Sequence, residues 1–100
     1  MKTKIHLDSI KTCLNSYFKN RPVLRAFLFG SYSRNEEVEN SDIDILVELD
    51  YSKPIGFYFF TMQYELSQIL STKVDLVTKE ELSTYIKSFV EKDMIQVYER

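Results

Sequence analysis

Apolar side chains over residues 5–19 fall at Ile5, Leu7, Ile10, Leu14 and Phe18, with Cys13 and Tyr17 alongside. That spacing predicts an amphipathic helix. Asn20-Arg21-Pro22 predicts its end, because a proline disfavours helical geometry in the residue before it. Residues 23–29 are a compact apolar run, broken by Arg25 and stopping at Gly30, and read as a buried strand. Residues 31–35 are expected to turn off the strand end and open a short helix or turn, and the polar stretch 36–41 reads as a loop. Over 43–49, Ile43, Ile45, Val47 and Leu49 alternate with Asp44, Leu46 and Glu48, which predicts a second strand with the first set inward. After a loop at 51–54, the longest helix is expected over about 55–70. Phe57, Phe60, Tyr64, Leu66, Ile69 and Leu70 stand at helical spacing there, and most of the aromatic cluster at 57–60 is expected in the core. Residues 73–77 read as a short third strand carrying Asp75. Thr78, with Glu81 three residues on, has the pattern of a capping box opening a helix to about Lys92. Residues 95–98 fit a fourth strand or a continuation of that helix. The order predicts an α/β protein, a small mixed β-sheet covered by helices.

Length and composition narrow the class. One hundred residues are expected to make a single domain over 1–100 with one core, leaving no room for a separate substrate-recognition domain. Whatever the chemistry acts on is then expected on a partner. Thirteen basic and fifteen acidic side chains give a net charge of −2, poor material for strong nucleic-acid binding, which draws on many cation–phosphate contacts. The lone Cys13 excludes an intramolecular disulfide. No apolar run approaches a membrane span, and the N-terminal residues precede no apolar stretch of the signal-peptide kind, so a cytoplasmic location is expected.

Three segments carry candidate chemistry. In Asp42-Ile43-Asp44 the two carboxylates occupy positions i and i+2, which share one face of a strand. Neighbouring carboxylates repel, and a divalent cation relieves that repulsion; an all-oxygen site of this kind suits Mg²⁺ or Mn²⁺. Alone, the pair reads first as a capped strand end with a solvent-facing acid, and it also suggests a phosphatase or glycosyltransferase site. Gly30-Ser31 follows an apolar strand. Glycine admits a ligand close to the backbone, and N–H groups at such a turn can hold phosphate; an ordinary turn has the same appearance. Asp75 lies between Val74 and Leu76, where a charge is costly if buried without a partner. A site-facing role and an exposed strand position both account for it.

The combination is more specific than its parts. Gly30-Ser31-Tyr32-Ser33-Arg34-Asn35, then Asn40-Ser41-Asp42-Ile43-Asp44-Ile45-Leu46-Val47, then Lys73-Val74-Asp75-Leu76-Val77 resemble the signature of the DNA polymerase β-like nucleotidyltransferase superfamily: Gly-Ser, a variable loop, Asp-x-Asp on the next strand, and a distant third carboxylate. Within it the chain resembles the minimal nucleotidyltransferases, or MNT proteins, which are about this long. The resemblance implies the polymerase β-like fold and two Mg²⁺ ions, with Mn²⁺ as a substitute, on the catalytic and metal-binding Asp42, Asp44 and Asp75. It implies that Gly30 and Ser31 hold the β- and γ-phosphates of ATP or another nucleoside triphosphate. Arg34 either neutralises phosphate or is a surface residue. Relatives commonly read Gly-Ser-x-Ala-Arg-Gly; Ser33 and Asn35 depart from that, and asparagine tolerates the left-handed backbone better than most residues. MNT proteins are often paired with HEPN-domain toxins. By that resemblance the chain looks like the antitoxin, moving AMP from ATP onto a tyrosine hydroxyl of its partner. Two alternatives stand beside this: an antitoxin that only masks its partner, and a transferase acting on a small molecule or RNA end. No base-reading pocket is evident, and the oligomeric state, including a homo-oligomer, is open.

Overall fold

Helix α1, Leu7–Phe18, buries Ile10, Leu14, Tyr17 and Phe18 on one face. Asn20, at φ 66°, takes the left-handed conformation ahead of Pro22, and the chain enters strand β1, Val23–Phe29. Strand β2 is Ile43–Leu49, helix α2 is Tyr58–Leu70, and strand β3 is Val74–Thr78. A 3₁₀ turn at Lys79–Glu81 precedes helix α3, Thr84–Asp93, and strand β4, Ile95–Glu99. This computed structural model describes residues 6–30, 32–34, 42–82 and 84–100, excluding the side chains of 84–87 and 89. The expected helix start at Ile5, the turn residues Ser31 and Asn35, and the expected loop at 36–41 lie outside the described residues.

The four strands form one mixed sheet in the order β3-β2-β1-β4. β1 runs antiparallel to both β2 and β4, while β2 and β3 are parallel and joined through α2. Strand alternation sends Val23, Ala26, Leu28, Ile43, Ile45, Val47, Val74 and Leu76 into a core shared with Ile10, Leu14 and Phe18 of α1 and Met62, Leu66 and Leu70 of α2. β3 is an edge strand, and α2 covers its free N–H groups. Val74 N–H donates to Ser67 Oγ at 3.0 Å, and Leu76 N–H to Gln63 Oε1 at 2.8 Å. Asp75 sits between these two anchored residues. No helix among the described residues is long and apolar enough to cross a membrane.

Four expectations need correction. α2 begins at Tyr58 rather than near Ile55. Its aromatic cluster splits: Tyr58 and Phe59 are partly buried against the core, while Phe57 and Phe60 are 86 % and 61 % exposed, and Tyr64 and Ile69 farther along face out with them. The helix carries two apolar stripes, and the one at i, i+4, i+8 through Met62, Leu66 and Leu70 docks on the sheet. The Thr78–Glu81 capping box is present, with Glu81 Oε1 accepting from Thr78 N–H at 3.1 Å, but it closes the 3₁₀ turn, and α3 begins only at Thr84. Leu46, expected outward beside Asp44 and Glu48, is buried at the floor of a cleft with Phe27 and Met94. β4 resolves the open choice at 95–98 in favour of a strand, because β1 offers it a free edge. Phe18, fully buried against the rings of Tyr17 and Tyr98, is expected to cost about 3–5 kcal/mol when replaced by alanine. Phe60→Ala should stay within about 0.5 kcal/mol of the unaltered chain; urea denaturation of both variants checks the contrast.

Candidate active site

Strand register gathers three of the candidate residues at one end of the sheet. Asp44 of β2 pairs with Phe29 of β1 on one side and with Asp75 of β3 on the other. Gly30 follows Phe29 directly, and Asp42 stands just before β2. Asp44 and Asp75 are therefore neighbours across a parallel strand pair, with side chains on the face away from the α1–α2 core. All three acids are half-buried.

Gly30 is shaped to this row. Its φ is +79°, and a Cβ there would lie 2.2 Å from Asp44 Oδ2, so a side chain at position 30 and the carboxylate of Asp44 cannot coexist as placed. The Gly30 carbonyl closes the following turn. It accepts from the N–H groups of Ser33 and Arg34 at 3.1 and 3.3 Å and from Ser33 Oγ at 2.8 Å. Tyr32, 2 % exposed, anchors the turn in the core. Arg34 is exposed, near enough for its charge to act on Asp44, and lines a cleft of about 320 Å³ with Phe29, Gly30, Val90 and Asp93.

Burial, then the charges of Asp75 and Asp42, push the Asp44 carboxyl up to about 6, while Arg34 and Lys73 oppose the shift. This is the field expected of carboxylates grouped to receive a cation. One cation already stands there: Lys73 Nζ lies 3.8 Å from Asp42 Oδ2 and 3.9 Å from Asp75 Oδ1. The donor set is oxygen-only and acidic, which fits a hard divalent ion. As placed, no three acidic, histidine or cysteine side chains among the described residues converge on one ion position. The fit is one of chemistry and shared face.

Of the residues singled out from sequence, Asp42, Asp44, Asp75, Gly30 and Arg34 come together here; Ser31 lies outside the described residues. Lys73, Ser33 and Tyr32 went unrecognised. Lys73 stands two residues before Asp75, a spacing that shares a strand face and signals its position. Ser33, noted only as a departure from the common motif, binds the Gly30 carbonyl. Tyr32 carried no signal, since an aromatic in a turn motif reads equally well as exposed.

A family model described as a nucleotidyltransferase domain matches residues 7–97. The chain is 44 % identical over 103 residues to a candidate protein adenylyltransferase of Methanocaldococcus jannaschii, covering 97 % of this chain and 100 % of that one. It is 34 % identical over 98 residues to the protein adenylyltransferase MntA of Thermococcus cleftensis, covering 97 % and 98 %. Among solved structures, a chain of a toxin–antitoxin complex with AMP-PNP superposes with a TM-score of 0.72 at 26 % identity, over 94 % of this chain and 75 % of that one. A candidate minimal nucleotidyltransferase superposes with a TM-score of 0.74 at 25 % identity, over 89 % and 90 %. The four-stranded mixed sheet with its three helices is the polymerase β-like fold that the motifs implied. Enzymes of this kind generally use divalent metal ions.

Two outcomes follow from the geometry. Gly30→Ala should destabilise the chain by about 1–3 kcal/mol and displace the Asp44 carboxylate, read by denaturation and by the chemical shift of that group. For Asp44, the folded pKa lies above the ordinary carboxylate value of 3.8, so the folded chain binds its proton more tightly than the unfolded chain does. The Asp44 contribution to metal-free stability therefore falls as pH rises from about 4 to about 6 and stays low above that. Asp44→Asn should remove this fall and raise stability at neutral pH; chemical denaturation across that range, with chelator present, measures it.

Proposed function

The chain belongs to the nucleotidyltransferase-domain family, and from that premise we propose that it transfers AMP from ATP onto a hydroxyl of a partner protein, a tyrosine of a HEPN-type toxin. The acceptor oxygen attacks the α-phosphorus, the bond from that phosphorus to the bridging oxygen of the β-phosphate breaks, pyrophosphate leaves, and the hydroxyl proton is lost. Residues 1–100 act as one domain in this reading, in the cytoplasm, as an antitoxin.

The observation that carries the proposal is the row formed by Gly30, Asp44 and Asp75 across three strands. Asp42, Asp44 and Asp75 would hold the divalent ions, two Mg²⁺ in this reading, which when bound screen the triphosphate and acidify the acceptor hydroxyl. Gly30 keeps the backbone open where the phosphates approach, and Ser31 is assigned to the same phosphates by its place in the motif. Arg34, already within the field of Asp44, offsets phosphate charge from the exposed side. Asp75, on the edge strand and half-exposed, faces the direction from which a partner's hydroxyl can arrive and takes its proton. A relative named as a protein adenylyltransferase and a neighbour bound to AMP-PNP within a toxin–antitoxin complex support the nucleotide and the partner.

The test is transfer of label from α-labelled ATP to a co-purified partner in the presence of Mg²⁺. Asp42→Ala/Asp44→Ala and Asp75→Asn should each lower labelling by about 10²–10³-fold. Equal neutralisation of the partner by the double variant and the unaltered chain would replace this reading with simple masking.

A further inference from the structure

At the far end of the sheet, where β1 starts and β2 and β4 finish, lies a second cleft of about 640 Å³. Lys19, Arg21, Lys53 and Arg100 line it, against one lining carboxylate, Glu99. β1 alone separates it from the candidate active site by about 20 Å, given roughly 3.3 Å per strand residue. We propose that this cleft is a second binding site, for a free oligophosphate of nucleotide size.

The charge is concentrated there against the trend of the chain, whose net charge is −2. Glu99 leans towards Arg25, 3.6 Å away, and Asp50 behind the cleft is taken by Arg100 at 2.7 Å. Among the described residues, Lys19, Arg21 and Lys53 pair with no carboxylate, so three positive charges go uncompensated. The two guanidinium groups are already held in place. Arg21 stacks 3.8 Å over the Tyr17 ring, donates from Nε to Tyr58 Oη at 2.9 Å, and donates from Nη1 to the Tyr17 carbonyl. Arg100 Nη2 donates to the Arg21 carbonyl at 3.0 Å. A guanidinium fixed by its neighbours loses little freedom when an anion arrives, and its planar fork matches phosphate oxygens. Lys19 and Lys53 are exposed, flexible cations placed to close on a ligand from the sides.

Phosphate chemistry fits this donor set better than a single carboxylate does, because several cations converge without one dominant partner. The cleft's volume matches a nucleotide or a short polyphosphate. A nucleic-acid strand would call for a longer basic track than these four residues supply. The site is separate from the proposed transfer chemistry and does not depend on it.

Heteronuclear NMR titration of the whole chain with tripolyphosphate and with ADP, both in EDTA so that metal-dependent binding is silenced, tests the proposal. Saturable shifts are expected at the amides of Lys19, Arg21, Lys53 and Arg100, weakening as salt is raised. Lys19→Glu/Lys53→Glu should weaken binding by at least about tenfold while leaving the remaining spectrum and the transfer of labelled AMP unchanged. Lys53→Gln alone should weaken it less. The proposal is overturned if no saturable shifts arise at this end, if the double variant binds as well as the unaltered chain, or if a single-stranded RNA oligonucleotide binds there more tightly than either small anion.

Discussion

The pairing of Asp44 with Asp75 across two parallel strands is the constraint on which the rest of the structure turns. It sets two like charges side by side, which is unfavourable in itself; burial first, and then the charges of Asp75 and Asp42, raise the pKa of Asp44. The fold compels the arrangement through apolar contacts elsewhere. Ile43, Ile45, Val74 and Leu76 alternate with the two acids and are buried, so sliding either strand by one residue would bury the acids and expose the core set. The core thus holds the carboxylates together against their own repulsion. Lys73 relieves part of that strain from outside, and a divalent ion would relieve more of it.

The surroundings serve this pair. α2 connects the two parallel strands and, through Ser67 and Gln63, fixes the N–H groups on either side of Asp75, so the edge strand that carries the acid is pinned without a further strand beside it. On the other side, β1 delivers Gly30 against Asp44 so closely that any side chain would collide. The Gly30 carbonyl then ties the next turn through Ser33 and Arg34, and the buried Tyr32 prevents that turn from lifting away. The candidate active site is open on the face away from α1 and α2, which suits chemistry on a hydroxyl belonging to another molecule.

At the other end of the sheet the same chain makes a site of opposite sign. Acids gather where β2 and β3 begin, and cations gather where β1 begins and β4 ends. The rings of Phe57, just ahead of α2, and of Phe60 and Tyr64 within it are exposed. A nearly neutral composition therefore conceals strong local segregation, and net charge is a weak guide to what such a small surface can bind.

Much of the candidate site was legible in the linear sequence because its spacing rules are local. Asp42 and Asp44, two apart, had to share a strand face if the segment was a strand, and Gly30 had to end the strand before it. The motif order then brought the distant Asp75 into the same set. The first three strands followed from their apolar patterns, and the inward faces of α1 and β2 from periodicity, with Leu46 the exception. Which stripe of α2 faces in did not follow, since Phe57, Phe60 and Tyr64 repeat as regularly as Met62, Leu66 and Leu70, and only docking on the sheet chooses between them. Residues 95–98 became a strand only because β1 offered an unpaired edge. The cation cleft is the clearest case: Lys19, Arg21, Lys53 and Arg100 are scattered along the chain, and no local rule joins them. Helical and strand periodicities act over a few residues and survive in the sequence, whereas the meeting of remote side chains is created when the sheet closes.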